Sequence, residues 1–112
     1  MEDEVARRVL RLVGLGVRSR GALVGVEQVR EAAKKGKLAL ALVASDASKH
    51  SLSKVVPLLE ARRVRIVHTA SASELGAAVG REQTAAVGIV DQQLARGIRE
   101  LVDRARANDG AA

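Results

Sequence analysis

Residues 38–44 read Leu-Ala-Leu-Ala-Leu-Val-Ala, an apolar run with no polar position in it. Successive side chains of a strand point to opposite faces, so a strand with one wet face alternates polar and apolar residues. A run that does not alternate predicts a strand covered on both faces. The chain must therefore supply helices to both sides of a sheet.

The remaining sequence is patterned to do so. Val5, Val9, Leu12 and Val13 form an i, i+4, i+7, i+8 stripe, a first amphipathic helix. Glu2, Asp3 and Glu4 come first, where the helix dipole favours acids, and Gly14 and Gly16 are expected to end it. Ala22–Val24 is a short extended run, and Gly25 leads into a helix over Val26–Lys35, closed by Gly36. After the buried strand, Ser45–Ser51 is a polar connection. A third helix follows through Val55, Val56, Leu58 and Leu59 to Arg62. Either it starts late, with Pro57 in its first turn, or it kinks there. Val64–Thr69 reads as a strand. Ser71 and Glu74 form a capping box that opens a short helix to Val79. Gly80–Thr84 is a loop and Ala85–Val90 a strand. Asp91 caps a last helix with the stripe Leu94, Ile98, Leu101, Val102 and Ala105. This alternation predicts an α/β fold, a three-layer α/β/α sandwich on a four-stranded mixed sheet. It forms one domain over residues 1–107, with a frayed tail at 108–112.

Composition narrows the function. There is no cysteine, hence no disulfide and no thiol chemistry. There is no Phe, Tyr or Trp, which removes the modules that read single strands by stacking bases on aromatic rings. The 19 Lys and Arg exceed the 13 acids by six charges, a surplus that suits a polyanionic partner. No apolar run approaches the roughly 20 residues that span a bilayer. The start Met1-Glu2-Asp3-Glu4 is acidic where a secretory signal is basic. A cytoplasmic protein without membrane contact is expected.

Enzyme readings fare poorly. His50 lies in the polar connection and His68 at a strand end, and neither has a partner at metal-ligand spacing. Asp46 and Asp91 follow strands, where α/β enzymes place carboxylates, but Asp91 reads as a helix cap and Asp46 as support for its own turn. Many cations have acids at i, i+4: Asp3–Arg7, Glu4–Arg8, Arg96–Glu100 and Arg99–Asp103. The cluster Lys34-Lys35-Gly36-Lys37 is less compensated, although Glu31 reaches Lys34 or Lys35. The start Gly25-Val26-Glu27-Gln28 offers unpaired helix N–H groups, with side chains beside them able to read base edges. Ordinary capping explains it as well.

Several segments recur in a fixed order. Gly25 opens a helix ending Lys34-Lys35-Gly36-Lys37, and Asp46-Ala47-Ser48 follows the buried strand. Glu74-Leu75-Gly76 precedes Gly80-Arg81-Glu82, and Leu12, Gly14, Leu15 and Arg18 lie upstream. In order and spacing the chain resembles the ribosomal protein L7Ae and L30e family, and within it the short bacterial branch of L7Ae-like RNA-binding proteins, over about residues 9–102. The resemblance implies the same sandwich and a protein that binds kink-turn RNA, a bent helix with a bulge, in a ribonucleoprotein. Two segments would carry it: Gly25–Glu31, with Val26, Glu27, Gln28 and Arg30, and Val79–Thr84, with Gly80, Arg81, Glu82 and Gln83. Asp46 and Ser48 belong to the same pattern. Arg20, Lys34, Lys37, Lys49 and Arg81 are the expected phosphate contacts, and Glu27 and Gln28 the base readers.

There are departures from the family pattern. Strong kink-turn binders of the family commonly carry Asn-Glu where Glu27 and Gln28 stand and Lys at the position of Glu31, while other branches carry Lys-Gln at the first two, which Gln28 fits. Pro57, and Gly21 where a Lys is expected, are further departures. Two acids one helical turn apart repel an anionic ligand. The expectation is a monomeric, non-enzymatic binder of structured RNA, associated with the ribosome, without cofactor or metal. The alternative is an adaptor for ribosomal or other proteins on the same scaffold, with its RNA site decayed.

Overall fold

A computed structural model describes the backbone of residues 3–111 and the side chains of 3–107. Glu2, counted above among the acids that open the first helix, lies outside the described residues. So do the side chains of the expected tail, 108–112, and the backbone of Ala112. The described elements are α1 (Asp3–Arg18), β1 (Ala22–Val24), α2 (Val26–Lys34), β2 (Leu40–Ala44), α3 (Lys49–Ala61), β3 (Ile66–Thr69), α4 (Ala72–Ala78), β4 (Ala86–Ile89) and α5 (Gln92–Ala111). None of these helices is long and apolar enough to cross a membrane.

The sheet is mixed, in the order β1-β4-β2-β3. β4 runs antiparallel to both its neighbours, and β2 and β3 are parallel. β2 is buried along its whole length and sorts its side chains by parity. Leu40, Leu42 and Ala44 join a core with Val9 and Val13 of α1, Leu75 of α4 and Ile98 of α5. Ala41 and Val43 join a second core with Val29 and Ala33 of α2 and Val55 and Leu59 of α3. The unalternating run is thus the shared wall of two cores, with α1, α4 and α5 on one side and α2 and α3 on the other.

Two expectations about element ends are corrected. α1 does not stop at Gly14 and Gly16; it runs on to Arg18. Those glycines are sites of close approach. A Cβ on Gly14 would stand 2.9 Å from the Ala78 carbonyl oxygen, and one on Gly16 would stand 2.4 Å from Leu94 Cδ2. α3 starts early, at Lys49, so Pro57 lies in its interior and His50 in its first turn rather than in a loop. The proline has no N–H for the Ser53 carbonyl. One residue on, the Arg30 guanidinium donates to the Lys54 carbonyl. Gly36, in contrast, closes α2 as expected: at φ 68 it lets its own N–H reach the Ala33 carbonyl and that of Lys37 reach Ala32, a Schellman ending.

Ion pairs follow the expected spacing only in part. Glu4–Arg8 and Arg96–Glu100 form, at 3.5 and 3.2 Å. Asp103 instead reaches across to Arg65 at the foot of β3, where Nη2 donates to Oδ1 at 2.6 Å. That hydrogen bond holds the Asp103 carboxyl below the usual carboxylate range, against the opposing effect of desolvation, and the charges of Arg65, Arg106 and Arg99 lower it further.

Gly76 and Gly97 make opposite tests of this packing. A Cβ on Gly76 would lie 2.4 Å from the Gln83 backbone, whereas on Gly97 it would meet only Leu12 Cδ1, at 3.6 Å. Gly76→Ala should destabilise by ~2 kcal/mol or more through overpacking. Gly97→Ala should be neutral or stabilising by up to ~1 kcal/mol, the helix-propensity gain. Urea denaturation of both variants checks the contrast. The Arg65–Asp103 bond gives a pH test. A carboxyl with a lowered folded pKa stabilises above its unfolded value of about 3.9, and the contribution disappears as pH falls through the folded value. Asp103→Asn should therefore lower the melting temperature at neutral pH and lose that effect in strong acid, as read by thermal melts across pH.

Candidate functional site

Strand direction decides which loops meet. β1, β2 and β3 all end at one edge of the sheet, and β4 begins there, since Val24 faces Val87, Val43 faces Ala86 and Ala44 faces Thr69. The β1–α2, β2–α3, β3–α4 and α4–β4 connections therefore share this edge. The expected meeting of the Gly25 helix start with the loop before β4 follows from that topology.

Backbone hydrogen bonds tie the loops together. Gly25 N–H donates to the Ala86 carbonyl at 2.9 Å, Ala44 N–H to Ala85 at 2.9 Å, and Thr84 N–H to Ala72 at 3.0 Å. The Ser45 N–H and hydroxyl both donate to the Ala70 carbonyl, at 2.8 and 2.9 Å. Ala70 is held left-handed, at φ 51. Asp46 does not serve its own turn: its carboxylate accepts from the Ala72 N–H at 2.8 Å and so anchors the start of α4. Ser48 caps α3, accepting from Ser51 N–H at 3.1 Å. The capping box of α4 is complete, with Ser71 and Glu74 bonded reciprocally at 3.0 Å. Asp91 caps α5 through Leu94 N–H at 2.9 Å.

Between these loops lies a concavity of about 450 Å³. Val26 forms one wall, Asp46 to Ser48 with Ser51 a second, and Ala72 with Gln83 to Ala85 a third. At its rim α2 begins with no side-chain cap. Gly25, at φ 100 and ψ 154, adopts a backbone state open essentially to glycine alone. Glu27 and Gln28 are exposed on the first turn. Glu27 is paired with Lys54 of α3, Oε1 to Nζ 3.7 Å, and its side chain is 80% exposed, so the pair adds little stability. Glu31 pairs with Lys35 at 3.9 Å.

The structure thus brings together Gly25, Val26, Glu27, Gln28, Asp46, Ser48, Lys49 and Gln83. Val79, Gly80, Arg81 and Glu82 lie earlier in the same loop. Arg81 N–H is fastened to the Gly76 carbonyl at 2.8 Å, beside the end of α4 rather than at its start. Arg30 is engaged with the Lys54 carbonyl. Arg20, Lys34 and Lys37 are not brought to this edge. Arg20 sits in the turn before β1, and Lys34 and Lys37 flank the far end of α2, about 12 Å along its axis from Val26. Lys54 and Thr84 were not singled out in the sequence. Lys54 immediately precedes the inward-facing Val55, and that neighbouring position is the signal that could have placed it against α2.

Among the described residues no group of three or more His, Asp and Glu stands where it could hold a metal ion. The edge offers N–H donors, a few cations and a hollow of mixed polar and apolar lining.

The family model described as "Ribosomal protein L7Ae/L30e/S12e/Gadd45 family" matches residues 7–99. Solved structures share the fold. A Bacillus halodurans protein described as of unknown function has a TM-score of 0.78 and 29% identity, over 85% of this chain and 96% of its own. A Giardia lamblia 15.5 kD RNA-binding protein has a TM-score of 0.79 and 23% identity, over 96% and 92%. No curated protein matches the sequence at a significant level.

Gly25→Ala tests the backbone at the rim. Nothing lies within 4 Å of the added Cβ, so the cost is conformational alone. It should destabilise by ~1–3 kcal/mol, measured by chemical denaturation.

Proposed function

Because the chain belongs to the ribosomal protein L7Ae/L30e/S12e/Gadd45 family, we propose that it binds structured RNA without catalysing a reaction, and that its ligand is a kink-turn or similarly bent helix. The observation that supports this best is the single concavity shared by the start of α2 and the end of the α4–β4 loop. An extruded base suits a hollow of that size, with Val26, Ala47, Ala72 and Ala85 for its faces and Ser48, Ser51, Gln83 and Thr84 for its polar edge, and no aromatic ring is needed to hold it. The free N–H groups and positive dipole end of α2 face an anionic backbone favourably. Lys49 and Lys54 on α3 and Arg81 on the loop are cations on elements that border it. Ribosomal RNA in the cytoplasm is the natural source of such a motif for a member of this family.

The acids on α2 set the affinity. Glu27 occupies Lys54, and Glu31 lies one turn further along. Removing either charge lowers repulsion toward phosphate, and removing Glu27 also releases Lys54. Glu27 could instead accept from a base amino group, a contact worth ~1–3 kcal/mol.

Gel shifts with one kink-turn RNA separate these roles. Glu27→Asn and Glu31→Lys should each bind more tightly than wild type, by roughly three- to tenfold, equivalent to ~0.6–1.4 kcal/mol. Weaker binding by Glu27→Asn alone would make Glu27 a base reader. If none of the three proteins shifts the RNA, the kink-turn reading fails and the adaptor reading takes its place.

A further inference from the structure

The surface of α1 carries cations that the edge site does not use. Arg7, Arg11 and Arg18 stand at i, i+4 and i+11, with Gly14 between them at i+7, so all four lie in one row along the helix. The three arginines are exposed. Arg8, on the neighbouring row, is neutralised by Glu4. Among the described residues no acid within 4.0 Å pairs with Arg7, Arg11 or Arg18, although Asp3 stands at the right spacing for Arg7.

The row borders an open groove of about 520 Å³ between α1 and α4. Gly14, Ala77 and Ala78 are among the residues that line it, so its sides are low. The Arg18 guanidinium folds back over Gly14, with Nη1 3.8 Å from where a Cβ would be. Glu74 also lines the groove, and its carboxylate accepts from the Ser71 N–H at 3.0 Å. The groove adjoins the edge site at two places. At one end, Ala6 of α1 shares a small hollow with Ser45 and Ser71. At the other, the Arg81 N–H bonds Gly76, next to Ala77 and Ala78.

We propose that the Arg7–Arg11–Arg18 row is a second RNA-binding surface, which takes the phosphate backbone of a stem leaving the edge site. This rests on RNA being the ligand of that edge. The row extends about 16 Å, enough to meet several consecutive phosphates of one strand. It carries three uncompensated charges and no base-reading geometry, so it adds affinity and salt dependence rather than sequence preference.

The test uses the full chain and two RNAs: a kink-turn with short stems, and the same RNA with each stem in turn lengthened by one helical turn. The triple variant Arg7→Gln, Arg11→Gln, Arg18→Gln is compared with wild type and with a charge-matched control, Arg62→Gln, Arg63→Gln, Arg104→Gln, which alters the α3–β3 turn and the last turns of α5. Thermal melts establish that each protein is folded; single Arg11→Gln and Arg18→Gln variants stand in if the triple is not. Wild type should bind one of the long-stem RNAs about tenfold or more tightly than the short one, with a salt slope about 2–3 units steeper. The triple variant should lose that gain and keep short-stem binding, and the control should keep both. Equal long-stem binding by wild type and triple variant, with the Glu27 and Glu31 effects intact, overturns the second surface and leaves the edge reading standing. Equal losses in triple and control show a net-charge effect and also overturn it. If wild type binds neither RNA, both the edge reading and this surface fall.

Discussion

The structure depends on the removal of β2 from water on both faces. Leu40 to Ala44 are each 0–1% exposed, and their side chains divide by parity between two cores. Both cores lose a wall if this strand loses its place. The apolar run therefore fixes β2 inside the sheet, between β4 and β3, and requires a helical layer on each side. It also fixes where polarity begins. The first polar residue after the run is Ser45, and from there the chain starts to build the edge that the four connections share. The hydrophobic constraint and the position of the candidate site are consequences of the same seven-residue stretch.

That edge is built from backbone groups and short side chains rather than from an array of charged ones. Asp46 and Ser48, which the family pattern marks, cap α4 and α3 here, so each holds a wall of the concavity in place. Cations are sparse at the rim, and one of them, Lys54, is occupied by Glu27. A basic chain has thus concentrated much of its positive charge away from the start of α2, on α1, at the α3–β3 turn and along α5. Net charge alone gives no indication of this, because it records the surplus and not its direction.

The layer architecture was legible because periodicity reports burial directly. The run at 38–44, the stripes of the first and last helices, the Ser71–Glu74 box and the Asp91 cap all have local causes. Element ends with non-local causes were not legible. Gly14 and Gly16 look like terminators until α4 and α5 are seen pressing against them. Pro57 fits either a late helix start or a place inside the helix until α3 is seen beginning eight residues earlier. Lys34 and Lys37 were expected among the phosphate contacts of the site that Gly25 opens. A helix that begins at one edge of a sheet ends at the other, so Lys34 and Gly25 are separated by the length of α2. The Arg65–Asp103 bond was invisible for the same reason as Asp46–Ala72: each joins segments far apart in sequence, and only the folded sheet brings them together.

The ties across the candidate edge bear on its motions. Binding loops are commonly drawn from the least stable parts of a protein, where opening involves only local fraying. Here the Gly25, Ala44, Ser45, Ala72 and Thr84 N–H groups are bonded from one connection to another or to a strand end beside the core. Opening one connection breaks its neighbour's bonds and loosens β2 or β4. These bonded amides therefore tie the rim to the same cooperative unit as the two cores, while the first N–H groups of α2 remain open to a ligand. A ligand that docks there meets a surface already ordered, and the entropy of arranging it has been spent by the time the sheet has closed.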